Sequence, residues 1–377
     1  MQCILPPHIL DAIIQNGTPE QRAEAERSAA LSTTIRAART ALGTPAVEAP
    51  RAPADGEHRV VYSADGATDL PGRQVRAEGE PPSTDPAVNE AYDGAGATYD
   101  LYKTVYNRDS VDNKGLRLDS TVHYGKQYDN AFWNGEQMIY GDGDESLPPG
   151  QQLFLRFTRS IDVIGHELTH GVTQYTAGLN YLGQSGALNE SISDVFGSLV
   201  RQRAANQSVT EADWLIGKEL LSPNVKGQAL RSMKAPGTAY DDPVLGKDPQ
   251  PATMQNYVNT TSDNGGVHIN SGIPNHAFYV AAMNIGGKAW EKAGQIWYVT
   301  LRDKLNPIAD FQAAANATFA TAGALFGTGS MEQQAVRQGW AEVGITVVDT
   351  PPTPPVTDNQ GCLDALLSFW RTFMKNQ

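Results

Sequence analysis

VIGHELTHGVTQYTAGLNYLGQSGALNESISDVFG, residues 163–197, decides the reading of this chain. Within it, His166-Glu167-Leu168-Thr169-His170 is an H-E-x-x-H motif in a stretch with helical periodicity. Residues four apart share one helix face, so both imidazoles can reach one metal ion. Glu167 then sits where it can touch the attacking water rather than the metal. A surface helix with two chance histidines would carry the same five letters, so the motif needs a third partner.

That partner lies twenty residues on. Glu190, in GALNESISDVFG, falls in a second helical pattern, with Asp194 one turn later on the same face. A catalytic zinc takes three protein ligands and keeps an open position. Glu190 completes a His-His-Glu set, and Asp194 can accept a hydrogen bond from a ligand imidazole and fix its tautomer. Ala187, Leu188, Ile192, Val195 and Phe196 surround Glu190, which suits a buried carboxylate with partners better than a solvated one.

Outward from this core, the 377 residues suggest two or three domains, with a formal net charge of −13. That acidity argues against nucleic acid as a partner, since phosphate binding needs Lys and Arg patches. Cys3 and Cys362 are the two cysteines, near opposite ends, and imply no disulfide framework. No stretch approaches the roughly 18 apolar residues of a membrane span. The start, MQCILPPHILDAIIQNG, lacks the basic opening and apolar run of a secretory signal. Expected localisation is therefore secretion by a route without a standard signal peptide, or a cytoplasmic precursor.

Residues 8–40 read as helical, broken at Asn16-Gly17-Thr18-Pro19, with Ile9, Leu10, Ile13 and Ile14 on one face. Residues 41–58 are a Pro- and Ala-rich linker of the kind proteases cut. Strands are expected at Arg59–Tyr62 and Ser120–Tyr124, a helix over 89–107, and a strand and Gly-Asp loop over 128–144. Helices are expected near 159–178, 187–205, 211–221, 271–284, 288–304, 309–325 and 330–343. A β-rich half followed by an α-rich half is an α+β architecture.

VIGHELTHGVTQYTAGLNYLGQSGALNESISDVFG, NAFWNGEQMIYGDGD (130–144), ALRSM (229–233) and DNGGVHINSGIPNHAFY (263–279) together resemble the thermolysin family of metallopeptidases. The resemblance covers roughly 85–346, in order and at compatible spacing, and the short N-terminal segment with its Pro-Pro pair resembles the protealysin branch. It implies a two-domain fold: a propeptide over 1–50, a β-rich domain over 51–180 carrying the zinc helix, an α-helical domain over 181–349, and a tail over 350–377. The zinc site would lie in the cleft between the two catalytic domains. The activity implied is that of an endopeptidase with one catalytic zinc, made as a latent precursor whose own propeptide is an intramolecular inhibitor. Partners would be polypeptide substrates, and the chain is expected to be a monomer.

Carried over residue by residue, the resemblance implies that His166, His170 and Glu190 bind zinc and that Glu167 is the general base. Tyr181 and His268 would donate hydrogen bonds to the tetrahedral oxyanion, with Asp263 holding His268. Asn130, Arg231 and the Ala131 carbonyl would bind substrate backbone. Phe154, Phe157, Val163 and Leu230 would wall an apolar pocket for the residue after the scissile bond, favouring Leu, Phe, Ile or Val; plain core packing is the alternative for these four.

The chain departs from the family at an acidic cluster that binds two calcium ions in well-known relatives. The matching positions read Asp162, Arg201, Asp213, Leu215 and Lys218, and Gln228 weakens a further calcium loop. Calcium wants six to eight oxygens, and an Arg and a Lys repel it. Arg201 and Lys218 are expected to replace the ion pair through salt bridges to Asp162 and Asp213; one weak calcium kept by Asp162 and backbone carbonyls is the alternative. At the N-terminus, the propeptide can shut the site in two ways: Cys3 as a thiolate latch on zinc, or occlusion of the cleft by CILPPHIL, the reading preferred here. The tail stripe Leu363, Leu366, Leu367, Trp370, Phe373 and Met374 reads as a docked helix or a recognition helix. A catalytically silent peptide-binding module and an exopeptidase are the rival functions. The first conflicts with the filled catalytic positions, and no cluster for capturing a chain terminus marks the second.

Overall fold

A computed structural model describes residues 2–42 and 56–348 of the chain. Residues 43–55, most of the expected maturation region, and the apolar tail stripe lie outside the described residues. No helix among them is long and apolar enough to cross a membrane.

The N-terminal segment begins with a short strand, β1 (Gln2–Cys3), followed by α1 (Pro7–Asn16) and α2 (Pro19–Leu42). Pro7 fits the first turn of α1, where its missing N–H costs nothing. Ile9, Leu10 and Ile13 are buried, in keeping with the apolar face read from the sequence. Thr18 and Gln21 exchange hydrogen bonds (Thr18 N to Gln21 Oε1, 2.9 Å; Gln21 N to Thr18 Oγ1, 3.3 Å), a capping box that starts α2.

The β-rich half contributes β2 (Arg59–Ser63), β3 (Arg73–Ala77), β4 (Leu118–Val122), β5 (Ala131–Trp133) and β6 (Met138–Tyr140). The six-stranded sheet has the order β1-β5-β6-β4-β2-β3. β4 is parallel to β2 and β6, and the remaining pairs are antiparallel. Helix α3 (Pro86–Asp100) connects β3 to β4; Asp85 caps it by accepting the Ala87 N–H. The sequence reading missed β3, and it missed that residues 2–3 add a strand to the β5 edge, because two residues carry no period-2 signal.

Helices α4 (Ile161–Gln174) and α5 (Gly183–Ala204) follow, at the places the sequence indicates. They pack with backbones nearly in contact. A Cβ built on Gly197 of α5 would lie 2.3 Å from the Asp162 carbonyl oxygen and 3.0 Å from the His166 nitrogen. Glycine alone permits that approach, and the approach brings Glu190 and Asp194 to the imidazoles of α4.

The expected helix over 211–221 does not form. Trp214 and Gly217 adopt left-handed conformations (φ 59° and 69°), and the segment makes a two-residue strand, Leu215–Ile216, and a single 3-10 turn, Lys218–Leu220. That strand pairs with Arg231–Ser232 and so sets the position of Arg231. The α-rich half is completed by a short segment over Asp263–Asn270, α6, and by α7 (Gly272–Ile285), α8 (Lys292–Asp303), α9 (Phe311–Phe326) and α10 (Met331–Glu342). Their core includes Trp297 stacked on Trp340 with ring centroids 6.5 Å apart.

Candidate active site

His166, Glu167 and His170 lie on one face of α4 and are fully buried. Their Nδ1 atoms are committed: His166 Nδ1 to Asp194 Oδ1 at 2.8 Å, and His170 Nδ1 to Asn189 Oδ1 and Ser193 Oγ, each at 2.9 Å. With acceptors on Nδ1, the Nε2 atoms face one another as lone pairs only 3.0 Å apart. Glu190 closes the group, 3.6 Å from His166 Nε2 and 3.4 Å from His170 Nε2. Glu190 Oε2 is buried and has no hydrogen-bond donor. Facing lone pairs beside an unsatisfied buried carboxylate oxygen call for a cation between them. Two imidazoles and a carboxylate are a zinc donor set.

Among the described residues, His166, His170 and Glu190 form the group whose ligand atoms lie within 4.8 Å of one another; Cys3 is not a member. Burial, reinforced by the neighbouring His166, holds His170 well below the ordinary histidine range, so its ring stays neutral and able to ligate.

Glu167 lies close enough to this group for the charge of Glu190 to act on it. Its Oε2 accepts the Trp133 backbone N–H at 3.0 Å, which aims the carboxyl, while Oε1 is buried without a partner. Burial, with the charge of Glu190 adding, pushes its pKa well above the usual carboxylate range, the direction a proton-accepting and proton-returning group needs.

Asp263 and Asn264 adopt left-handed φ values of 52° and 51°, followed by Gly265 and Gly266 at 84° and 75°, and this coil turns the His268 ring inward. Asp263 accepts from the His268 backbone N–H (2.8 Å) and from Nδ1 (2.6 Å). Burial opposes the charged ring, but Asp263 and then Glu190 raise the His268 pKa to about 9, which makes Nε2 a charged donor at neutral pH. Tyr181 Oη lies 3.1 Å from that Nε2 and also donates to Glu190 Oε1. Burial and the Glu190 charge raise the phenol well above its ordinary value, so it keeps its proton.

Asp194 is the hub of the site. Besides His166, it accepts two bonds from Arg231 (Nη2 2.7 Å, Nε 2.8 Å) and one from Asn275 Nδ2 at 2.8 Å. Although burial disfavours its charge, Arg231 and His166 hold its carboxyl well below the usual range. The sequence reading missed Trp133, Asn189, Ser193 and Asn275. Asn189 and Ser193 had a signal, since they flank Glu190 on the same helix. Asn275 had none, because only the tertiary fold brings α7 to α5.

The proposed substrate groups hold the N-terminal segment instead. Ile4 N donates to the Ala131 carbonyl at 3.3 Å, and Arg231 Nη1 donates to the Ile4 carbonyl at 3.0 Å. Leu5 N donates to Asn130 Oδ1 at 3.0 Å, and Asn130 Nδ2 returns a bond to the Leu5 carbonyl at 3.4 Å. His268 Nε2 takes the Cys3 carbonyl at 2.9 Å. Phe154, Phe157, Val163 and Leu230 are all buried, as is Ile4. Cys3 is buried in a small cluster with Tyr124, Tyr128, Phe132 and Ile139.

The departing acidic cluster is bound by cations of the chain itself. Arg201 lies 3.8 Å from Asp162, 3.0 Å from Asp213 and 3.1 Å from Glu219, and donates to the Leu215 carbonyl at 3.3 Å. Lys218 Nζ is 3.1 Å from Asp213. Glu219 is a partner the sequence reading did not include.

Two sequence models of thermolysin metallopeptidases match: the catalytic domain over 57–174 and the alpha-helical domain over 177–345. An extracellular metalloprotease of Pectobacterium carotovorum is 50% identical over 345 residues, covering 91% of this chain and 96% of its own. A Photorhabdus protease, PrtS, is 48% identical over 353 residues, covering 91% and 92%. The solved structure of the precursor of protealysin, a metalloproteinase from Serratia proteamaculans, superposes with a TM-score of 0.82 at 50% identity, covering 92% of this chain and all (100%) of that one.

Proposed function

The chain belongs to the thermolysin family of zinc-dependent metalloendopeptidases, and from that premise we propose how its own residues cut a peptide and how the cut is held off. His166, His170 and Glu190 hold the zinc. When bound, zinc polarises the scissile carbonyl and makes water a nucleophile near neutral pH. Glu167 takes the proton from the attacking water and returns it to the leaving amine. Imidazolium His268 and phenolic Tyr181 donate to the oxygen on which negative charge develops, each contributing about 10²- to 10³-fold in rate. Arg231, Asn130 and the Ala131 carbonyl fix the substrate backbone. Phe154, Phe157, Val163 and Leu230 receive the side chain after the scissile bond, with Leu, Phe, Ile or Val preferred.

The observation that carries this reading is the pair of Nε2 atoms 3.0 Å apart beside Glu190, with both Nδ1 atoms already bonded. It is tested by the cleavage of casein and of peptides with varied residues after the cut. Cleavage that stops with a zinc chelator, returns with zinc and favours the apolar series supports it; indifference to the chelator contradicts it.

Latency follows from the backbone bonds between residues 3–5 and the groups assigned to substrate. The segment acts by occupying the cleft, not through the Cys3 thiol. Cys3→Ser should leave latency and maturation rate unaltered, and a loss of latency would restore the latch reading. Maturation is by self-cleavage within about residues 42–58. The Arg201 and Lys218 ion pairs take the place of the double calcium site, and the enzyme works outside the cell, as the extracellular metalloproteases it resembles do.

A further inference from the structure

Three carboxyl groups meet where the N-terminal segment lies on the enzyme body, none of them a member of the proposed zinc group. Glu24 comes from α2; Asp129 and Asp144 come from the segments flanking β5 and β6. All three are 2–3% exposed. Glu24 and Asp129 are each within side-chain hydrogen-bonding reach of Asp144. Asp144 Oδ2 accepts the backbone N–H groups of Leu153 (2.7 Å) and Phe154 (3.0 Å), so it is the acceptor of the set. Glu24 Oε2 and Asp129 Oδ1 are buried and meet no N–H or O–H donor.

Ionised, each of those oxygens would leave a buried lone pair uncompensated beside another carboxylate. Protonated, each becomes a donor to Asp144. Among the described residues, the cation facing Glu24 and Asp129 is Arg27, 3.9 Å from Glu24 Oε1 and half exposed, with its Nη2 also committed to Gln127 Oε1 at 2.8 Å. Ser28 contributes an uncharged contact, accepting the Asp129 N–H at 3.0 Å.

Resting on the reading of residues 1–50 as an inhibitory segment, we propose that Glu24, Asp129 and Asp144 form a proton-sharing lock that clamps this segment to the enzyme and loosens as the pH rises through neutrality. Burial, and then Asp144, push Glu24 up to about 8, and Asp129 is raised well above its ordinary value by burial, Asp144 and Glu24. A carboxyl raised on docking contributes fully below its free value near 4.5, and that contribution is lost as the pH climbs through its docked value. When the segment lifts, Glu24 releases its proton to solvent. The precursor therefore holds in mild acid and opens at neutral and alkaline pH, so a change of compartment or medium can start maturation.

The test uses the full-length, zinc-loaded chain carrying Glu167→Gln, which keeps it uncut. Hydrogen exchange of peptides from α2, corrected for intrinsic rates, reads the opening equilibrium from about pH 6.5 to 8. One proton released per opening gives about a tenfold rise per pH unit. Glu24→Gln keeps the shape and the bond to Asp144 without the charge, and should flatten the profile. Asp129→Asn, on the enzyme side of the set, should also lower it. A flat profile with native Glu24, or a Glu24→Gln profile that rises as steeply, overturns the lock. So does suppression of opening by millimolar calcium, which would mean that a cation and not a proton closes the set. Casein hydrolysis by the chain with native Glu167 at pH 6.5, before any cut, separates the two ideas. Full activity there rejects inhibition by the segment, whatever the opening profile.

Discussion

His268 Nε2 lies 2.9 Å from the carbonyl oxygen of Cys3, a residue 265 positions earlier in the chain. A donor assigned to the developing oxyanion is thus already taken, by the chain's own backbone. The next residue, Ile4, is fully buried and bonded at both its N–H and its carbonyl.

Truncating Ile4 should therefore release the enzyme early. Ile4→Ala removes a buried side chain worth about 2–4 kcal/mol, which weakens docking about 30- to 1000-fold. Caseinolysis by freshly purified, uncut precursor measures it. The variant should show activity at once, whereas the native chain should show a lag ending with the appearance of the mature N-terminus.

Asp194 ties His166, a proposed zinc ligand, to Arg231 and Asn275 through one carboxylate. Asp194→Asn should lower zinc affinity about 10- to 100-fold, since it disturbs the tautomer and aim of His166. It should also cost about 3–5 kcal/mol of stability by leaving Arg231 buried without its charge partner. Chelator competition and urea unfolding read the two effects separately.

Much of this site was legible before any coordinates. H-E-x-x-H at 166–170 and the acidic pair Glu190 and Asp194 fall at helical spacing, so sequence distance translates directly into a shared face. What could not be read was whatever depended on one element meeting another. Asn275 reaches Asp194 only because α7 crosses α5, and β1 exists only because the β5 edge receives it. The segment at 211–221 shows local pattern losing to tertiary demand. Its apolar spacing suits a helix, yet Arg201 captures Asp213 and the Leu215 carbonyl, and Ile216 pairs with Arg231.

Arg201 should be indispensable where calcium is not. Its guanidinium neutralises Asp162, which is fully buried, together with Asp213 and Glu219. Arg201→Ala should cost about 3 kcal/mol, the penalty of leaving a buried carboxylate unpaired. Melting temperature reads this. For the native chain it should not change between excess calcium and a calcium-selective chelator; a clear rise with calcium would overturn the replacement of the ions by ion pairs.

His8 gives the docked segment an acid limit as well. Its Nε2 lies 3.0 Å from Tyr240 Oη, and burial, followed by the charge of His268, lowers its pKa to about 4. A histidine lowered on docking favours the docked form above its free value of about 6.5, and loses that contribution as pH falls through 4. Release of the segment should therefore increase as the pH falls from about 6.5 to about 4 and level off below that, and His8→Asn should blunt that increase. Hydrogen exchange of α1 between about pH 3.5 and 6 checks the sign.

Two imidazoles and Glu190 should together hold one zinc that peptide cleavage requires. The most direct measurement takes zinc content and caseinolysis from the same dialysed sample, for the native chain and for Glu190→Gln. The native chain should carry one zinc and show activity that appears on maturation, and the variant should lose most of the zinc and at least about a hundredfold of the activity. A Glu190→Gln protein that kept its zinc and cut casein at the native rate would contradict it.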